Sequence, residues 1–336
     1  MLSRHADACY WIGRCVERAE ATARMLDVHY HAALESVLPS KVIVEEDDSS
    51  SLSWQAVLAV SGTASAFAEH YDAPSDRNVL RFFAFDTENS NSIFSLWRAA
   101  RENARSVRDL IASEMWESLN ISYMQLWEWN GDRIAREGPS QFFSLVKNAS
   151  HLFQGIQNRT QMLGETRDWL DAGRFLERGG QTARLLDIKY FQLLPATHAE
   201  ESDTVPLEAY GVGGALDIHG WLAVLRSVSA NEMFRKAHQD GFRPASVVDF
   251  LVLDPHFPAS VRYCLGRVDE ALRRISSNVR DEPANEPERL VGKLKADLMY
   301  TRAEEVILDG LHSFLMEVQR RFAEIGNAVT RTYLSY

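Results

Sequence analysis

Apolar residues recur at three- and four-residue intervals along almost the whole chain, and strict alternation is scarce. That period belongs to a helix with one buried face, so the pattern predicts an all-α fold. The predicted helices cover 3–38, 54–70, 93–113, 115–136, 141–163, 166 to just before Pro195, 221–239, 261–277, 288–301 and 303–330. Pro39 is expected to stop the first of them. The polar stretches 41–51 and 196–214, and DEPANEPE at 281–288, read as solvated joints.

The pattern is written twice. GRCVERAEATARMLDVHY at 13–30 and GRFLERGGQTARLLDIKY at 173–190 share ten of eighteen positions. WQAVLAVSGTASAF (54–67) pairs with WLAVLRSVSANEMF (221–234), and VLRFFAFDTENSNSI (79–93) with VVDFLVLDPHFPASV (247–261). The offsets of 160, 167 and 168 run in order, which predicts an internally duplicated helical bundle. Each half, 1–165 and 166–336, is expected to hold about five or six helices. The halves are expected to share one core within a single domain, 1–336.

On a helical wheel Ile12, Cys15, Val16, Ala19, Ala23 and Leu26 form one arc, matched by Ala172, Phe175, Leu176, Gly179, Ala183 and Leu186. The small residues mid-arc suggest that Ala19 and Ala23 lie against Gly179 and Ala183. A second arc carries Arg14, Glu17, Arg18 and Arg24, repeated as Arg174, Glu177, Arg178 and Arg184. Glu17 stands three residues from Arg14 and Glu20 four from Arg24, spacings that favour pairing along the helix. Gly180 replaces Glu20 in the second copy while Arg184 remains, so a surface pair does not account for that arginine. If both arcs face one cavity, its surplus of guanidinium groups selects carboxylates or phosphates. The competing reading is an Arg–Glu network that only joins helices.

The stretches MLSRHADACYWIGRCVERAEATARMLD, RAARENARSVRDLIASEMWESLN (98–120) and DWLDAGRFLERGGQTARLLD (168–187) resemble the bacterial alpha-E family, an all-helical domain named for its Glu-Arg motif. The likeness runs from Met1 to about Ser276, and the motif falls on Glu17-Arg18 and Glu177-Arg178. Resemblance implies an association with ATP-grasp and transglutaminase-like proteins in making or modifying peptides. Gly179-Gly180 departs from the first copy and sets two glycines inside a helix, each costing about 1 kcal/mol relative to Ala.

Other patterns add less. Arg98, Arg101, Arg105 and Arg108 form a basic stripe, read as an inter-helix face or as a second wall of the anion site. Asp86…Ser92 and Asp254…Ser260 read as a turn followed by a helix N-cap. Trp116, Tyr123 and Trp127 share one face and are expected in the core, with Trp129 at an interface. No DDxxD, Glu-x-x-His, CxxC or Gly-rich phosphate loop occurs, so neither a metal nor a cofactor is expected. Net charge −11 argues against nucleic acid, and no apolar run approaches a membrane span. Three cysteines without a signal-like N-terminus suit reduced thiols and a cytoplasmic location.

Three functions fit these residues. The first is an accessory subunit of an ATP-grasp-linked amide-forming system, holding an anionic peptide or intermediate. The second is an enzyme using Glu17 and Glu177 among their arginines. The third is a helical scaffold in which the charges are glue.

Overall fold

In the computed structural model the described residues are 1–36, 54–55, 57–59, 61–193, 215–239 and 241–335, without the side chains of 32–36, 135, 189–193 and 215–219. The expected stop at Pro39 and the polar loops 41–51 and 196–214 fall outside them. Every regular element among the described residues is helical. In chain order they are α1 (Ser3–Ser36), α2 (Ala64–Ala68), α3 (Asp76–Ala84), α4 (Ile93–Ser106), α5 (Ser113–Trp127), α6 (Gly131–Glu137), α7 (Pro139–Thr160) and α8 (Glu165–Leu193). They continue with α9 (Ala215–Ser227), α10 (Asn231–Ala237), α11 (Pro244–Val248), α12 (Val261–Ile275), α13 (Glu286–Tyr300), α14 (Ala303–Asp309) and α15 (Leu311–Val329). Single π turns, Asp249–Leu253 and Thr330–Leu334, extend α11 and α15.

Local chemistry sets the helix ends. Ser92 and Ser260 cap α4 and α12, accepting from the N–H groups of Ser95 and Tyr263 at 3.1 and 3.0 Å. Asp86 and Asp254 hold the preceding turns by accepting from the N–H of Glu88 and of His256 and Phe257. Several expected long helices are broken. Gly62, at φ 69, separates the helical residues of 54–59 from α2, and Gly310, at φ 111, divides α14 from α15. Asn130 starts α6 by capping the N–H of Arg133, so the helix expected over 115–136 is two. The helix expected over 221–239 is likewise two, α9 and α10, and α3 and α11 were not predicted as helices at all. Gly179-Gly180, by contrast, leave α8 unbroken.

The two long helices lie together at the centre. Their contacts ascend in step, from the Met1 amino group on Glu165 to Arg18 on Glu177, so α1 and α8 run in the same direction. Around them α1 packs on α4 and α7, and α8 packs on α12 and α15. Among the described residues nearly all buried apolar side chains form one cluster, which includes the predicted arc of α1 and, apart from the buried Gly179, its match on α8. Trp127 corrects the expectation for the aromatic run: it is 60% exposed, whereas Trp129 is buried against Phe142. The α5 register sends Leu126 inward and leaves its neighbour on the outer face.

The seam between the long helices lies about two to three turns before the expected place. A Cβ on Gly13 would stand 2.2 Å from the Leu170 carbonyl oxygen, and one on Gly173 would stand 2.1 Å from that of Tyr10. Backbone meets backbone at this matched glycine pair. Gly179 instead faces the Phe322 ring and Cys264, because at that level the small residues make room for α15 and α12. We expect Gly13→Ala and Gly173→Ala each to destabilise the fold by about 1–3 kcal/mol or more, since neither backbone can yield. Gly180→Ala, whose new methyl would meet Phe322 at an ordinary 3.8 Å, should be neutral or stabilising by up to about 1 kcal/mol. Urea denaturation of the three variants checks the contrast.

Candidate functional site: the Glu–Arg helices

Just over one turn beyond the glycine contact, the Glu–Arg pairs of α1 and α8 face each other and exchange partners. Arg18 binds Glu177 with two bonds, Nε to Oε1 at 2.7 Å and Nη2 to Oε2 at 2.9 Å. Arg178 binds Glu17 in the same way at 2.6 and 2.8 Å. Each arginine also reaches an amide oxygen from a neighbouring element, Asn91 for Arg18 and Gln154 for Arg178. Planar forks meeting carboxylates side-on are the strongest common ion-pair geometry, and these lie where little water competes.

The two sides then diverge. Arg14 also binds Glu177, at 2.8 Å, while bonding to the Tyr10 hydroxyl and lying over the Trp11 ring. The pairing of Arg14 with Glu17 expected from spacing is not made; the facing helix supplies a better-placed acid. Arg174, the counterpart of Arg14, turns to Asp171 at 3.1 Å and stacks on Phe175. Asp171 stands at the position of α8 that matches Trp11 of α1 in sequence. Arg24 pairs with Glu20 through Nε at 2.9 Å and Nη2 at 2.6 Å, and touches Ser229 and His151. Arg184 has Gly180 in place of that acid, and its buried Nε has no partner. Among the described residues no carboxylate is paired with it.

Charge is therefore unequal across the helix pair. Around Glu177 stand Arg14, Arg18 and Arg184, whereas Arg24, Arg174 and Arg178 are answered by Glu17, Glu20 and Asp171. Burial alone would raise the Glu177 carboxyl, but Arg18 and Arg14 outweigh it and hold that group well below its ordinary value of 4.5. Burial would raise Glu20 too, but the hydrogen bonds from His151 and Ser150 and the Arg24 charge outweigh it and hold that carboxyl down at about 2. Burial lowers Arg184 and Arg174, whose surroundings do not repay the lost hydration of their charge.

Two cavities flank this contact. One of about 200 Å³ contains Arg18, Thr22, Asn91, Gln181 and Arg184, with Met25, Phe83, Leu185 and Ile188 as its apolar side. The other, about 480 Å³, holds Glu17, Glu20, Arg24, His151, Gln154 and Arg178. The predicted arginines thus divide between two hollows, and Arg14 and Arg174 line neither. Arg98, Arg101 and Arg105 are not a second wall. Arg101 bonds to Asn120 and Glu102 and lies over Tyr123, and Arg105 reaches Glu102, so these guanidinium groups are taken up by α5 and by their own helix. Arg98 is exposed on α4 outside both cavities.

Spacing could have identified Gln181, four residues from Glu177 and donating to it at 2.8 Å. Nothing local identifies Asn91 or Gln154, which come from a loop and from α7. The three thiols are buried and pushed up to about 12 by that burial, which leaves them poor nucleophiles. Among the described residues no group of three or more His, Cys, Asp or Glu is placed to hold a metal ion, and no helix is long and apolar enough to cross a membrane.

Replacing Glu177 by Gln leaves two guanidinium groups without their carboxylate and should cost about 3–5 kcal/mol at neutral pH. Because the folded carboxyl lies below its unfolded value, this contribution is complete above about pH 4.5 and is lost as pH falls. Wild type and Glu177→Gln should accordingly converge in stability on acidification, as read by urea midpoints between pH 7 and 3. A constant difference across that range would contradict the assignment.

A model of the Alpha-E family, described as a predicted alpha-helical domain with a conserved ER motif, matches residues 1–334. Among curated proteins the chain is similar to an uncharacterized protein of Mycobacterium bovis and to uncharacterized proteins from two strains of Mycobacterium tuberculosis, each 22% identical over 356 residues. Those alignments cover 97% of this chain and 36% of each relative, so the chain spans about a third of their length. No solved structure matches the chain significantly.

Proposed function

The chain belongs to the Alpha-E family, and from that premise we propose that it is a binding module that holds an anionic ligand between its two Glu–Arg helices. In this reading it is an accessory subunit of an ATP-grasp-linked system that forms or modifies peptide amide bonds, and the ATP-grasp partner performs the chemistry. One observation carries the ligand site: Arg184, half-buried near Arg18 and Glu177 with its Nε buried and unpartnered, lacks the acid that answers its counterpart Arg24. A second supports the accessory role: in the mycobacterial relatives a region like this chain is about a third of a longer polypeptide.

The repeated sequence and the like surroundings of α1 and α8 support two copies of one ancestral unit, within 1–165 and 166–336, forming a single domain. On this account the Glu–Arg motif itself is structural. Glu17 and Glu177 each accept a bidentate arginine and a further donor, which leaves neither carboxylate ready to exchange a proton with a substrate. That geometry argues against the enzyme reading, and it fits the view that these charges join helices. Arg184 is the residue that a pure scaffold leaves without a purpose.

The test is reconstitution with the ATP-grasp protein and a candidate acidic peptide. The two proteins should co-elute on size exclusion, and Arg184→Ala should lower ATP-dependent amide formation about tenfold or more while leaving co-elution intact. Failure to associate, or unchanged turnover in the variant, would contradict the proposal.

A further inference from the structure

The chemistry of the smaller cavity narrows what it takes. Both helices pass it in mid-length, where their backbone N–H groups are already used within the helix, so no cluster of main-chain donors is available for a phosphate. The hydroxyls are committed as well: Thr22 donates to the Arg18 carbonyl, and Ser61 is bonded to Thr63 and the Leu58 carbonyl. Arg18 has given its two-pronged face to Glu177 and an Nη1 hydrogen to Asn91. What remains is Arg184, a guanidinium lining the cavity whose buried Nε has no hydrogen-bond partner, with Met25, Phe83, Leu185 and Ile188 as the apolar lining. A planar fork fits a two-oxygen anion, and the apolar wall fits methylene groups behind it. The volume of about 200 Å³ lies below the roughly 300 Å³ at which drug-sized ligands begin, which excludes a nucleotide.

We infer that this cavity binds a carboxylate carried on a short aliphatic stem, the size of an acidic amino-acid side chain, with Arg184 as its anchor. The inference rests on the anion-binding reading above and assigns it a chemical class and one side of the helix pair. It also explains the difference between the copies. Glu20 occupies Arg24 from within the chain; at the matching position Gly180 leaves Arg184 for a carboxylate from outside.

That comparison supplies the decisive variant. A glutamate at position 180 lies four residues before Arg184, the favourable order for an ion pair, and its Cβ has room against Phe322 at 3.8 Å. Gly180→Glu should close the site by self-occupation without loss of thermal stability. The experiment titrates full-length protein with glutarate and, separately, with inorganic phosphate, following the Arg side-chain Nε–H resonances by NMR. Wild type, Gly180→Glu and Arg184→Gln are compared, the last guarding against a misfolded first variant.

Glutarate should perturb the Arg184 resonance in wild type, and its apparent dissociation constant should rise at least about tenfold in both variants. Tighter binding of phosphate than glutarate, lost in the same variants, would overturn the carboxylate assignment and leave the anion site standing. No binding of either probe, or binding indifferent to both substitutions, would overturn both.

Discussion

Two forked ion pairs, Arg18 with Glu177 and Arg178 with Glu17, join parallel helices at the centre of the fold, and the register of the surrounding bundle follows from them. Taking such charges from water is costly, and an apolar contact of the same shape is often as stable or better. The gain lies in specificity. An apolar seam tolerates sliding by a turn, but a guanidinium fork misplaced by one turn leaves four buried charges unmatched. Gly13 and Gly173 make the arrangement possible by bringing the two backbones together, close enough for the side chains beyond them to cross and pair.

A symmetric exchange of partners by itself makes no site. The proposed site lies where the two Glu–Arg helices differ. Trp11 opposite Asp171 decides that Arg14 joins Glu177 while Arg174 stays on its own helix, and Glu20 opposite Gly180 decides that Arg24 is answered while Arg184 is not. These two differences leave the positive surplus on a single side of the helix pair. The imbalance is tolerated because the paired charges nearby keep the local field mixed: Glu177 and Asp187 attract Arg184 while Arg14 and Arg18 repel it.

Helical class and the apolar arcs were legible in the sequence because burial of one face imposes a period on residues that are neighbours in the chain. Helix ends were less so. Gly62 and Gly310 break helices through a backbone conformation that composition does not reveal, and the capping side chains of Ser75 and Asn130 start helices the apolar pattern ran past. For the site, sequence located the charged residues but misjudged their partners. Spacing along a helix correctly suggests Glu20 with Arg24, yet it suggests Glu17 with Arg14, and that pair is not made. Pairing across helices depends on which face meets which, and that was set by Gly13 and Gly173 while the alanines nearby drew attention to a different level.

The central claim is the reciprocal lock, and a charge exchange across it is the most direct test. Arg18→Glu and Glu177→Arg each place like charges face to face, so each alone should destabilise the protein by several kcal/mol. Combined in one chain they restore an opposite pair at the same place, and although Arg14 and Arg184 would still face the new arginine, the double variant should be clearly more stable in urea denaturation than the sum of the single losses. If the double variant is as unstable as the sum of the singles, the two residues do not act on each other and the account is wrong.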